Sequence, residues 1–119
     1  MTLEEEVVDI RSEQHHQALV ITLAGSFDAL TADEAWSTIG MQIGEERQQV
    51  VLDLSHVDFM SSSGVRVLLE TLKRVRGKGG DLHLAAAGSS VKRTLEISGL
   101  VRVLKTYPSV SEAVRDFAA

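Results

Sequence analysis

The chain has no cysteine among its 119 residues. That removes disulfide scaffolds, thiolate metal sites and cysteine nucleophiles together. No apolar run approaches the roughly 18 residues a membrane-spanning helix requires, so membrane insertion is not expected. The opening Met-Thr-Leu-Glu-Glu-Glu carries neither a basic n-region nor an apolar h-region, so no secretory signal is expected either. A net charge of −5 is a poor match for phosphate backbones, which argues against direct nucleic-acid binding. Linkers, internal repeats and low-complexity tracts are also missing. What remains is ordinary for a globular protein, with 44% hydrophobic and 24% charged residues. The expectation is one domain over residues 1–119, in the cytoplasm.

Hydrophobic patterning gives the order of elements. Val7 to Ile10 reads as a short edge strand, His15-His16-Gln17 as a turn, and Leu19 to Leu23 as a β-branched strand ending at Gly25. Gly25-Ser26-Phe27-Asp28 then reads as a loop, with Thr31 and Glu34 spaced as a capping box for a helix running to about residue 44. Val50 to Leu54 is almost wholly apolar, as a central parallel strand covered on both faces would be. After a polar loop, Val65, Leu68, Leu69, Leu72 and Val75 form the buried stripe of a second helix, closed at Gly77. Glu70 and Arg74 are spaced as a helical ion pair. Leu82 to Ala86 is the next strand, Gly88-Ser89-Ser90 caps a helix over Val91 to Ser98, and Val101 to Leu104 reads as the last strand. Pro108 and Ser109 introduce a C-terminal helix with Val110, Ala113, Val114 and Phe117 on its apolar side. Strands alternating with helices after a leading hairpin give an α/β fold. Its central sheet is mostly parallel with an antiparallel edge strand, and helices pack against it.

Several motifs lose on inspection. Ser55, His56 and Asp58 hold the letters of a hydrolytic triad but are almost contiguous, whereas a triad is assembled from separate parts of a chain. The four histidines form no His-x-x-x-His pair, so no metal site is expected. Gly77-Lys78-Gly79-Gly80 precedes a strand, while phosphate-cradling glycines follow one, so it reads as a turn. The basic cluster Lys73, Arg74, Arg76 and Lys78 sits where cations complement a helix C-terminus.

One stretch exceeds what structure requires. Ser61, Ser62 and Ser63 stand before Gly64 at the start of the second helix, where free N–H groups and the dipole favour negative charge. Any one of them could be the N-cap; three in succession are more than capping needs. Asp28 follows another strand end. Alone it reads as a turn or helix-start residue, but both loops lie at the rim where functional loops of open α/β sheets gather.

Val51-Leu52-Asp53-Leu54-Ser55-His56-Val57-Asp58-Phe59-Met60 followed by Ser61-Ser62-Ser63-Gly64-Val65 resembles the central motif of the STAS domain, the anti-sigma factor antagonist family. Gly25-Ser26-Phe27-Asp28, Leu95-Glu96-Ile97-Ser98-Gly99-Leu100 and Ser111-Glu112-Ala113 extend the resemblance over essentially the whole chain. The resemblance implies a single STAS-like domain acting as a phosphoregulated binding module, not an enzyme, and needing no cofactor. The implied partners are an anti-sigma factor with serine-kinase activity, bound when the antagonist is unphosphorylated, and a serine phosphatase that restores binding. Ser62 aligns with the phosphoacceptor, with Ser61 and Ser63 as runners-up. Asp28, Ser61, Ser63, Gly64 and Arg66 are the implied partner-binding residues.

Two positions depart from the family pattern. Ser61 replaces an acidic residue before the acceptor, and Arg66 replaces a second glycine. Arg66, four residues after Ser62, either points to solvent or pairs with a phosphate or an acidic partner. Alternative readings are a STAS accessory subunit of a membrane transporter, a stress-signalling scaffold and, weakest, a small nucleotide-binding protein or phosphoester enzyme.

Overall fold

The computed structural model describes residues 8–118. Five strands form one sheet: β1 (Asp9–His15), β2 (Ala18–Phe27), β3 (Gln49–Met60), β4 (Asp81–Ala85) and β5 (Lys105–Tyr107). They lie side by side in chain order; β1 pairs antiparallel with β2, and every later pairing is parallel. The β1–β2 hairpin turns at His16, whose φ of 54° lies in the left-handed region. The helices are α1 (Ala32–Ile43), α2 (Ser62–Gly77), α3 (Ser89–Ser98) and α4 (Val110–Arg115). Val7, assigned above to the first strand, lies outside the described residues.

The sheet separates two apolar layers. Leu19, Ile21, Leu23, Val50, Leu52 and Leu54 pack with α1, α2 and α3 in the larger core. Ala18, Val20, Val51 and Ala85 face Ala113 and Val114 of α4 on the other side. This division follows from strand order. Crossovers of one hand that always step to the next strand put the intervening helices on the same face, and the final helix is left to cover part of the other. Val50, Val51, Leu52 and Leu54 are fully buried, as an apolar run in a central strand should be.

Several boundaries differ from the sequence expectation. Gly25-Ser26-Phe27 is not loop but the end of β2, and Ser55 to Met60 continue β3. The register between them shifts at Thr22/Ala24 and at Gly25/Ser26, so β3 carries two more residues than the segment of β2 it faces. Val101 to Leu104 does not form the last strand. Gly99 ends α3 with φ of 78°, a short 3-10 helix takes Leu100–Arg102, and β5 begins only at Lys105. Gly88 is the N-cap residue of α3, so Ser89 and Ser90 lie inside the helix. Gly77 is still helical, and Gly79, with φ of 88°, makes the turn. The basic cluster is occupied structurally. Arg74 donates to the Gly44 carbonyl at 3.1 Å, Lys78 pairs with Glu45 at 3.1 Å, Arg76 with Asp81 at 3.0 Å, and Glu70 pairs with Lys73 rather than Arg74.

Candidate functional site

β2 and β3 end level with each other, Phe27 opposite Met60, so the loops that follow emerge side by side. Phe27 joins them. Its carbonyl accepts the Ser61 N–H at 2.9 Å, while its ring is buried in the core. Gly64 passes against the same residue. A Cβ there would stand 2.6 Å from the Phe27 carbonyl oxygen and 2.8 Å from Met60 Cγ, so any larger residue forces helix and strand apart. Gly64 is buried, and it shapes the rim from beneath.

The three serines occupy different environments. Ser61 is the N-cap: its backbone is extended and its Oγ accepts the Ser63 N–H at 3.2 Å. Ser63 is half-buried. Ser62 is exposed on the first turn, and its hydroxyl takes no part in the cap.

Asp28 is half-buried at the start of α1. Its Oδ1 accepts the Leu30 N–H at 2.9 Å and the Thr31 N–H at 3.3 Å. In return the Thr31 hydroxyl accepts the Asp28 N–H at 3.1 Å and donates to the Ser26 carbonyl at 2.8 Å. The reciprocal pair is therefore Asp28 with Thr31, in the turn before α1, and the Thr31 side chain makes no capping bond toward Glu34. The carboxylate also sits where the dipole of α1 favours negative charge.

Between α1 and α2 lies an open cleft of about 250 Å³, lined by Ala32, Asp33 and Trp36 on one side and Ser63, Arg66 and Glu70 on the other. Arg66 is exposed there, and the Glu70 carboxylate beside it is engaged by Lys73 at 3.6 Å. The rim thus gathers Asp28, Ser61, Ser62 and Ser63, with Arg66 one turn along α2. Two rim residues were not foreseen. Leu30 is 83% exposed and Phe59 50%, apolar surface on either side of the paired strand ends. Phe59 is readable once β3 is known to continue, because Met60 points inward beside it; Leu30 sits in a loop with no periodic signal.

Ser55, His56 and Asp58 lie exposed along β3, and the Asp53 carboxylate accepts the Ser55 N–H at 3.0 Å. They do not converge with one another on a cleft. The groups whose titration is displaced (Glu45, Asp81, Tyr107 and Asp116) belong to the α1–β3 connector, β4, β5 and the end of α4, not to the rim.

The family model described as the STAS domain matches residues 9–113. The chain belongs to the STAS domain family. An anti-sigma F factor antagonist of Paenibacillus polymyxa is 32% identical over 114 residues, covering 92% of this chain and 94% of that protein. The crystal structure of an anti-sigma factor antagonist from Mycobacterium paratuberculosis superposes with a TM-score of 0.86 at 25% identity, over 95% of this chain and 96% of that one. The Bacillus protein SpoIIAA shares the fold at 19% identity and a TM-score of 0.65 in its phosphorylated form, over 92% of this chain and 99% of that one. No helix of the described STAS domain is long and apolar enough to cross a membrane.

Proposed function

We propose that this STAS domain is an anti-sigma factor antagonist, a cytoplasmic binding protein without catalytic activity of its own. It binds an anti-sigma factor that is also a serine kinase, is released when that kinase phosphorylates Ser62, and is reset by a serine phosphatase. The observation that carries this reading is Ser62 itself. It is an exposed hydroxyl, unused in capping, on a rim with Asp28, Leu30 and Phe59, in a chain similar over nearly its whole length to an anti-sigma F factor antagonist. That full-length likeness favours this reading over a transporter subunit.

The switch follows from elementary electrostatics. A phosphate adds about −1.5 to −2 charges at pH 7. At the N-terminus of α2 it strengthens the helix instead of melting it. Binding is lost at the interface, because a compact rim bordered by apolar side chains becomes a hydrated dianion that the partner must desolvate or pair. Arg66, four residues on, is placed to pair with that phosphate or with an acidic group of the partner.

The test is affinity capture by wild type, S62A, S62D and R66A, followed by incubation of the captured protein with ATP. Wild type and S62A are expected to retain an ATP-dependent kinase that S62D loses, with circular dichroism unchanged, and mass spectrometry is expected to place the phosphate on Ser62. Equal capture by S62D, unfolding of S62D, or phosphate on Ser61 or Ser63 overturns the proposal. R66A with unchanged affinity and unchanged phosphoprotein stability removes Arg66 from it.

A further inference from the structure

The outer edge of β1 pairs with no other strand among the described residues. Edge strands usually escape association through charges that repel a second copy. The charges of β1 do the opposite. Asp9, Arg11, Glu13 and His15 share one face of the strand, opposite Ala24, Thr22, Val20 and Ala18 of β2. Acidic and basic residues alternate: Arg11 lies 3.0 Å from Asp9, and His15, a cation when protonated, lies 3.3 Å from Glu13.

Backbone direction fixes which groups a second strand would meet. The Ile10 carbonyl accepts the Gln42 side-chain N–H at 2.8 Å, so it points off the open edge rather than toward β2. Strand alternation turns the N–H and C=O of Ser12 and Gln14 the same way. The Ile10 oxygen keeps a second lone pair for a strand partner. An open groove of about 720 Å³ runs along the face beside Asp9, Arg11 and Glu13, reaching Asp53 and His56, so that side of the edge is uncovered, while on the other side Gln42 of α1 reaches the edge at Ile10.

We propose that β1 pairs with β1 of a second copy, antiparallel about a two-fold axis through Ser12, joining the two five-stranded sheets into one. In this register Ser12 faces Ser12 and Ile10 faces Gln14 as hydrogen-bonded pairs. Arg11 faces Glu13, and Asp9 faces His15, as the intervening pairs whose side chains approach most closely. Symmetry makes each charge contact twice, as an isologous interface requires. The register is specific. Sliding the copy by two residues sets Arg11 on Arg11 and Asp9 on Glu13, or Glu13 on Glu13. Of these three alignments only the Ser12-centred one sets every acidic residue against a basic one.

One seven-residue edge covers less surface than a standard stable interface, so the dimer is weak and concentration-dependent. It leaves the Ser62 rim free. Sedimentation velocity of the full chain at low salt, from micromolar to submillimolar concentration, is expected to show a monomer–dimer equilibrium that S62D does not alter. R11E and E13R each place two like-charge pairs in the interface, so each is expected to weaken association about tenfold or more. An equimolar mixture of R11E with E13R is expected to regain it, since every introduced charge then faces its opposite. That recovery also shows that both variants are folded. A wild-type chain that stays monomeric, a dimer indifferent to R11E and E13R, or a mixture that does not associate overturns the proposal.

Discussion

At the scale of single residues, the junction between β3 and α2 turns a repetitive sequence into three distinct side chains. Ser61 is held by the Phe27 carbonyl through its N–H and caps the helix through its Oγ. One residue on, the Ser62 side chain faces solvent, and Ser63 turns back toward the cleft. Capping by Ser61 and the phosphate acceptance proposed for Ser62 therefore do not compete for one hydroxyl. S61A is expected to cost roughly 1 kcal/mol of stability through the lost cap, whereas S62A should stay within about 0.5 kcal/mol of wild type. Urea denaturation of the two variants separates the roles. If S62A were the costlier change, the cap and the free hydroxyl would have to be exchanged.

At the scale of elements, the start of α1 combines two functions in one carboxylate. Asp28 holds the turn leading into α1 with its oxygen, an interaction Asn reproduces, and presents a charge at the rim, which Asn does not. D28N is therefore expected to keep wild-type stability to within a few tenths of a kcal/mol, and D28A to lose about 1 kcal/mol. Both should bind the captured partner less well if the charge is read. A D28N protein that melts like D28A would mean that the charge on the α1 dipole, not the hydrogen bonds, holds the loop. The stripe of α2 and the apolar run of β3 were legible in sequence because each keeps one period with one buried side. The second half of β3 was not. From Leu54 onward the buried residues are Val57 and Met60, a spacing of three, because two register shifts interrupt the alternation. A loop and a bulged strand are then indistinguishable by periodicity. The reverse error arose at Val101 to Leu104, where alternating apolar letters cover a tight turn after Gly99, and Val101 and Val103 are exposed. Motif singled out the serines and Asp28, which the fold brings to one rim, whereas Leu30 and Phe59 carry no signal because exposed apolar residues leave no pattern.

At the scale of the whole molecule, the sheet face opposite α1, α2 and α3 depends on one short helix, and its polar ties make it sensitive to pH. His83 is buried there, its Nδ1 bonded to the Ala113 carbonyl at 2.9 Å and its ring stacked on Phe117 at 3.7 Å. Beside it the Tyr107 hydroxyl donates to the Asp116 carboxylate, which also lies 3.7 Å from Lys105. Burial first, then the hydrogen bond and negative charge of Asp116, push the Tyr107 hydroxyl from 10.0 up to about 12. The bond from Tyr107 holds Asp116 below its ordinary range against the opposing effect of burial, with Lys105 assisting. For Asp81, burial acts upward but is outweighed by the Leu82 N–H and by Arg76. The signs follow from proton linkage. The native state holds the Tyr107 proton more tightly than the unfolded chain does, so that stabilisation is complete below pH 10 and disappears as pH rises toward about 12. The two carboxylates release their protons more readily when folded. Their contribution is complete above the ordinary value of 3.8 and is lost as pH falls below it. Thermal melts are therefore expected to show a neutral plateau that declines on both sides. Tyr107 is the only tyrosine in the chain, so absorbance of the tyrosinate reads its titration directly. The folded protein should ionise near 12, and D116N should lower that midpoint without bringing it to 10, since burial, the largest cause, remains. Y107F should lower the neutral plateau and make the acid limb shallower, because Asp116 loses the donor that holds its carboxyl below the ordinary value. A folded wild-type protein whose tyrosine ionises at 10 would show that α4 does not close over this face.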